Sequence, residues 1–137
     1  MTNTNLKLSL FAIRLSLVFF FAIWAIEKFI KPETTVAIWK AFYMVADLPL
    51  EASYVIGVVQ SIAVLCLLFG VAKFWSYGFF LVIHSIGTIL TYERLLDPYT
   101  GSNHLFAAAV PVVGALFVLF LLRDEDTFLT LSQRKHA

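Results

Sequence analysis

The sequence predicts an all-α protein: a membrane-spanning antiparallel four-helix bundle with a short interfacial helix between helices one and two. Three observations lead there. Hydrophobic residues make up 61% of the 137 and charged residues 14%, with mean hydropathy +0.87, more apolar surface than a soluble fold of this size can hide. Four apolar runs, 8–26, 52–69, 74–92 and 105–122, each approach the ~20 residues a helix needs to cross ~30 Å of hydrocarbon. The connectors are mostly short, so the runs must neighbour one another as one domain. Its helices are expected over about 6–30, 52–69, 74–94 and 104–122, with a short C-terminal tail, 123–137. A strand crossing would be about half as long and would alternate.

The first run contains Arg14. A mid-span arginine costs roughly 2.5–3.5 kcal/mol on the insertion scale, whereas twelve Leu, Ile, Phe or Val residues between Leu8 and Ile26 return about 4–7 kcal/mol. The run should therefore insert. It is longer than a signal-peptide core and ends in Glu27-Lys28-Phe29, so it is expected to persist as a span.

Gly70 to Lys73 turns the second run into the third as a tight hairpin. Asp97-Pro98 and Thr100-Gly101 form the next turn, with Ser102 or Asn103 to cap the fourth helix and Pro111 to kink it. The longest connector, 27–51, is bracketed by Pro32 and Pro49. Val36, Trp39, Tyr43 and Met44 recur there near helical spacing, predicting a helix in the interface with Lys40 in water. An ordered loop over the bundle end is the alternative.

The positive-inside rule places both termini in the cytoplasm, because Lys7, Lys73, Arg123, Arg134 and Lys135 share one side. A net charge of +1 offers no basic patch for nucleic acid. Cys66, the sole cysteine, cannot form an internal disulfide and is read as a buried packing residue.

Polar side chains inside spans need a reason. Counted from the cytoplasmic ends of their runs, Arg14 lies ~12 Å deep, Gln60 ~15 Å and His84 ~13–14 Å. Three helices thus offer a polar group at one level, and we expect Arg14, Gln60 and His84 to face a common interior site. Thr88 and Thr91 extend the His84 face at i+4 and i+7. Interhelical hydrogen bonding without a ligand, and threonine hydroxyls bonded to their own backbone, are the structural alternatives. Ser53, Gly57 and Ser61 form a small-xxx-small ridge that reads as a packing seam. At the outer end Glu27, Lys28, Glu93 and His104, with Arg94, form a polar cluster. None has metal-ligand spacing, so interfacial ion pairs are expected and no metal site.

Along nearly its whole length the chain resembles the DoxX-like family of small four-helix membrane proteins. The resemblance rests on Arg14 leading into Trp24-Ala25-Ile26-Glu27-Lys28-Phe29 and Pro32-Glu33, on Gly57-Val58-Val59-Gln60, on Gly70 with Lys73, and on Pro111 and Leu122-Arg123-Asp124-Glu125-Asp126-Thr127. Ala25 stands where glycine is commoner, and Gln60 where relatives often carry glutamate. The resemblance implies a bacterial inner-membrane protein. It also implies an accessory or quinone-interacting subunit of a membrane redox system, since some relatives are subunits of thiosulfate:quinone oxidoreductases. A bound quinone or lipid is the expected ligand, held by Arg14, Gln60, His84 and Thr88. No cofactor is expected to be intrinsic, and the chain carries no self-contained catalytic motif. A redox-protein partner and self-association are the expected protein contacts. Two other functions stay open: a small transporter or channel component using the His84–Thr91 stripe, and a scaffold or assembly factor docking through an exposed tail from Asp124 onward.

Overall fold

The computed structural model describes residues 3–132, which are helical with no strand among them. Four long helices, α1 (Asn3–Ile30), α3 (Leu50–Phe69), α4 (Lys73–Leu90) and α6 (Ala109–Leu121), are joined by two short ones, α2 (Pro32–Phe42) and α5 (Tyr92–Leu96), and by a 3₁₀ turn, Asn103–Ala108. Three helical segments are long and apolar enough to cross a bilayer: Asn3–Ile30, Leu50–Phe69 and Asn103–Leu121. The α4 helix is not among them, because Lys73, Ser76, Tyr77, His84, Ser85 and Thr88 dilute its apolar residues. The three segments are compatible with an integral membrane protein.

The main seam joins α1 and α3, which run antiparallel. Arg14 reaches the Leu68 carbonyl at one end, and Ser53 Oγ donates to the Lys28 carbonyl (3.0 Å) at the other. Buried Leu10, Arg14, Leu17, Phe21, Ala25 and Lys28 form the α1 stripe, and Ser53, Gly57, Val64 and Leu67 the α3 stripe. Both follow the three-and-four spacing of a helix face. A Cβ at Gly57 would lie 2.9 Å from the Phe29 ring and 3.1 Å from Lys28 Cβ, so glycine lets the two backbones approach. The expected small-residue seam is therefore real. On the other side α4 and α6 run antiparallel, with Phe74 against Phe120 (5.7 Å) at one end and His84 against Ala109 at the other. Tyr77, Phe80, Leu116 and Leu119 complete a core with Leu10, Leu17, Phe21 and Leu67. Outward faces are strongly apolar, with Phe19, Val55, Ile62 and Phe117 all exposed, as suits lipid contact.

Within 27–51 the expected short helix forms as α2, with Pro32 as its first residue, where a missing backbone donor does no harm. The connectors differ from expectation in three places. The helix expected over 74–94 stops at Leu90, and α5 begins after Thr91. There the Thr88 and Thr91 hydroxyls bond the carbonyls of His84, Gly87 and Thr88, competing with the helix ladder. Pro111 does not kink a continuous helix. The residues before it wind as a 3₁₀ turn, and Pro111 falls in the first turn of α6. Finally, the tail is not free: residues 123–132 fold back as a strap across the end of the helices that holds the Gly70 turn. Arg134 and Lys135 lie outside the described residues. Cys66 is half-buried rather than buried, and its thiol is free.

Candidate functional site

Arg14 is 1% exposed and Asp126 is fully buried, 112 residues further along the chain. Arg14 Nε lies 3.0 Å from Asp126 Oδ2. That N–H is not aligned on the carboxylate, so the contact is a charge pair rather than a directed hydrogen bond. The directed bonds come from the other two nitrogens. Nη1 donates to the Leu68 carbonyl and Nη2 to the Phe128 carbonyl, with Leu129 O at 3.4–3.5 Å from both. Leu129 takes a left-handed backbone (φ 50°), which lets the Phe128 and Leu129 carbonyls converge on one guanidinium. Tyr77 donates its hydroxyl proton to Asp126 Oδ2 (2.6 Å), and Lys73 Nζ donates to the Asp126 backbone carbonyl. The strap is tied once more where Leu131 N–H donates to Phe69 O (2.8 Å). Gly70, at φ +60°, leaves space for Thr130: a Cβ there would come within 2.5 Å of its methyl.

This arrangement separates the expected triad. His84 packs edge-on against Phe20 (5.7 Å) and Phe21 (5.6 Å), and its Nε2 lies 3.3 Å from the Ala109 carbonyl. Phe21 is about two turns, ~10.5 Å, beyond Arg14 along α1. Arg14 and His84 therefore do not meet. Gln60 is partly buried on α3, and its Oε1 is buried without a partner. Arg14 reaches Leu68, eight residues (~12 Å) further along α3. The α1 helix begins at Asn3, and the strap reaches Arg14 from that end of the helices. Thr88 spends its proton on the His84 carbonyl (2.7 Å).

The expected outer cluster disperses. Lys28 is buried in the α1–α3 seam, with Nζ 3.4 Å from the Trp24 carbonyl. Glu93 is exposed and reaches Tyr92 only at 3.5 Å, and His104 is exposed. Instead Arg94 donates to Asn103 Oδ1 (3.2 Å), Asn103 Nδ2 donates to Asp97 O (2.9 Å), and the guanidinium of Arg94 lies 5.9 Å from the Phe42 ring centre. This polar tie docks α5 and the 3₁₀ turn onto α2. An open groove of about 340 Å³ runs beside it, lined by Phe42, Met44 and residues 89–94. Tyr43 lies close by, and burial pushes its phenol above the usual range.

Sequence reasoning missed Asp126, Tyr77 and Lys73. One signal was available: a deep arginine needs an anion, and Asp124, Glu125 and Asp126 are the first carboxylates after the fourth apolar run. Among the described residues no group of three or more His, Cys, Asp or Glu is placed to hold a metal ion. In comparisons with known proteins, no family model matches this chain, and no curated protein or solved structure shows significant similarity to it.

Proposed function

We propose that this chain is a DoxX-like, multi-pass protein of a bacterial inner membrane that serves a membrane redox system as an accessory subunit, holding a quinone-like amphiphile among its helices. In this reading α4 is the fourth span. It runs from the Asp126 strap to the level of Ala109, and at ~1.5 Å per residue its 18 residues extend ~27 Å. The four-helix bundle that results has the strap on the cytoplasmic side.

One observation carries the ligand reading. Gln60 and His84 both sit in the apolar interior with hydrogen-bonding capacity to spare: Gln60 Oε1 has no partner, and the Ala109 carbonyl engages only one of the two ring nitrogens of His84. An apolar slot with one or two placed polar groups is the usual form of a site for such a molecule. Arg14 leaves the expected ligand set, since the strap takes up its donors. The channel reading has less support, because Thr88 and Thr91 turn their hydroxyl protons to their own helix. The scaffold reading loses its free tail up to residue 132.

Titration of the detergent-purified protein with a short-chain benzoquinone tests the proposal. Saturable binding is expected, and His84→Ala should weaken it about 5–10-fold, the worth of one hydrogen bond. Absence of binding to the wild-type chain would overturn the reading.

A further inference from the structure

The open groove beside α5 has walls from the end of α2 and the turn after it (Phe42, Met44) and from the end of α4 (Ile89, Leu90). Two contacts hold those walls together. The Tyr43 hydroxyl sits against Gly87, where a Cβ would come within 3.0 Å of it, so this glycine lets the turn after α2 close on α4. The Arg94 guanidinium lies 5.9 Å from the Phe42 ring centre, while its Nη1 donates to Oδ1 of buried Asn103 (3.2 Å). The volume, about 340 Å³, is that of a small-ligand site. Beside the apolar wall, the lining residues Glu93 and Arg94 carry opposite charges. Among the described residues neither is in a salt bridge, the ion pair being Arg14 with Asp126. Asn103 engages one of the five guanidinium donors of Arg94, and Glu93 meets the Tyr92 hydroxyl only at 3.5 Å. The groove also lies at a particular height. Ile30, Leu50 and Asn103, where the three bilayer-length apolar segments end, belong to this end of the molecule. It therefore opens where hydrocarbon gives way to headgroups.

An apolar wall, a cation and an anion, both charges unpaired, at headgroup height: a phospholipid with an amine headgroup carries the matching parts, an acyl chain, a phosphate and an ammonium group. We propose that the groove binds such a zwitterionic phospholipid, with its acyl chain against Phe42, Met44 and Ile89, its phosphate accepting from Arg94 and its ammonium beside Glu93. A guanidinium already held by Asn103 and Phe42 loses little freedom on taking a phosphate. A phospholipid with an uncharged glycerol headgroup offers the phosphate alone and sets its net negative charge against Glu93. The inference rests on the membrane placement of the chain and not on the quinone-like ligand, since neither Gln60 nor His84 lines this groove.

Native mass spectrometry of the detergent-purified protein tests this, with dioleoyl phosphatidylethanolamine and dioleoyl phosphatidylglycerol titrated separately. Saturable binding is expected, about three- to fivefold tighter for the ethanolamine lipid, the worth of a partly exposed ion pair. Glu93→Gln should abolish that preference by weakening the ethanolamine lipid alone. Arg94→Gln should weaken both lipids about tenfold. Because Arg94 also ties α5 to the 3₁₀ turn, Met44→Asp is the second variant. Met44 is exposed with a left-handed backbone (φ 57°), which Asp tolerates, so a carboxylate there should weaken both lipids and leave thermal unfolding unchanged. No saturable binding, equal binding of the two lipids, or a preference that survives Glu93→Gln would overturn the inference. Binding unaffected by both Arg94→Gln and Met44→Asp would overturn it too, placing the lipid on the outer helix faces. None of these outcomes alters the benzoquinone titration, so the two readings fail separately.

Discussion

Arg14 and Asp126 illustrate how one residue pair can tie distant parts of a helical fold together. Each is buried, and each would be very costly alone in an apolar interior. Arg14→Met and Asp126→Leu are each expected to lower stability by about 3–5 kcal/mol, because each strands the opposite charge. The double substitution should recover much of that loss. Thermal unfolding in detergent measures all three, and a double variant no better than either single one would show that the pair is not coupled. Arg14 Nε and Asp126 Oδ1 each lack a hydrogen-bond partner. At this scale the sequence was half legible. Arg14 stood out as a charge inside an apolar run, and its burial follows from that. Its partner did not stand out, because the acidic run 124–126 reads locally as a solvated tail and nothing local ties it to α1. Lys28 misled in the opposite direction. Its neighbour Glu27 implied an interfacial ion pair, whereas the glycine at 57 lets α3 approach and enclose it.

Among the elements, the α1–α3 seam depends most on side-chain size. The Phe29 ring and Lys28 Cβ already crowd the position where a Gly57 Cβ would stand. Gly57→Leu should wedge the helices apart at a cost of about 1–3 kcal/mol, lowering the midpoint of thermal unfolding by several degrees. Gly114 is the control: nothing lies within 4 Å of its missing Cβ, so Gly114→Ala should leave the unfolding midpoint nearly unchanged. Helix existence and order were readable from apolar runs and turn residues, and Pro32 and Gly70 stand where such residues usually start and stop helices. The breaks at Thr91 and before Pro111 were not readable. They depend on which backbone carbonyl a hydroxyl selects and on how the turn before a proline winds, and neither leaves a trace in hydropathy.

For the whole molecule, the open quantity is the number of crossings, and α4 decides it. With α4 as a span, Thr4 and Ser102 lie on opposite sides of the membrane. Without it, they lie on the same side. In a Cys66→Ser background, a membrane-impermeant maleimide should label Ser102→Cys in intact cells and Thr4→Cys only after permeabilisation. Labelling of both under the same condition would remove α4 from the membrane. Hydropathy alone makes α4 ambiguous, since its polar residues are the ones that bond to the strap, to Ala109 and to its own carbonyls. The sequence displays those side chains as polarity without showing that the fold absorbs them.

The strap also bears on biosynthesis. Arg14 is made well before the strap: the Phe128 carbonyl that receives it follows 114 residues later. During synthesis of the intervening helices α1 must carry an unneutralised cation, kept hydrated, and it can settle only when residues 123–132 arrive. Closure of the α1 end is therefore coupled to synthesis of the strap. A polypeptide halted after α6 would keep its apolar helices but present a bare guanidinium, a feature by which quality control could recognise chains that lack the strap.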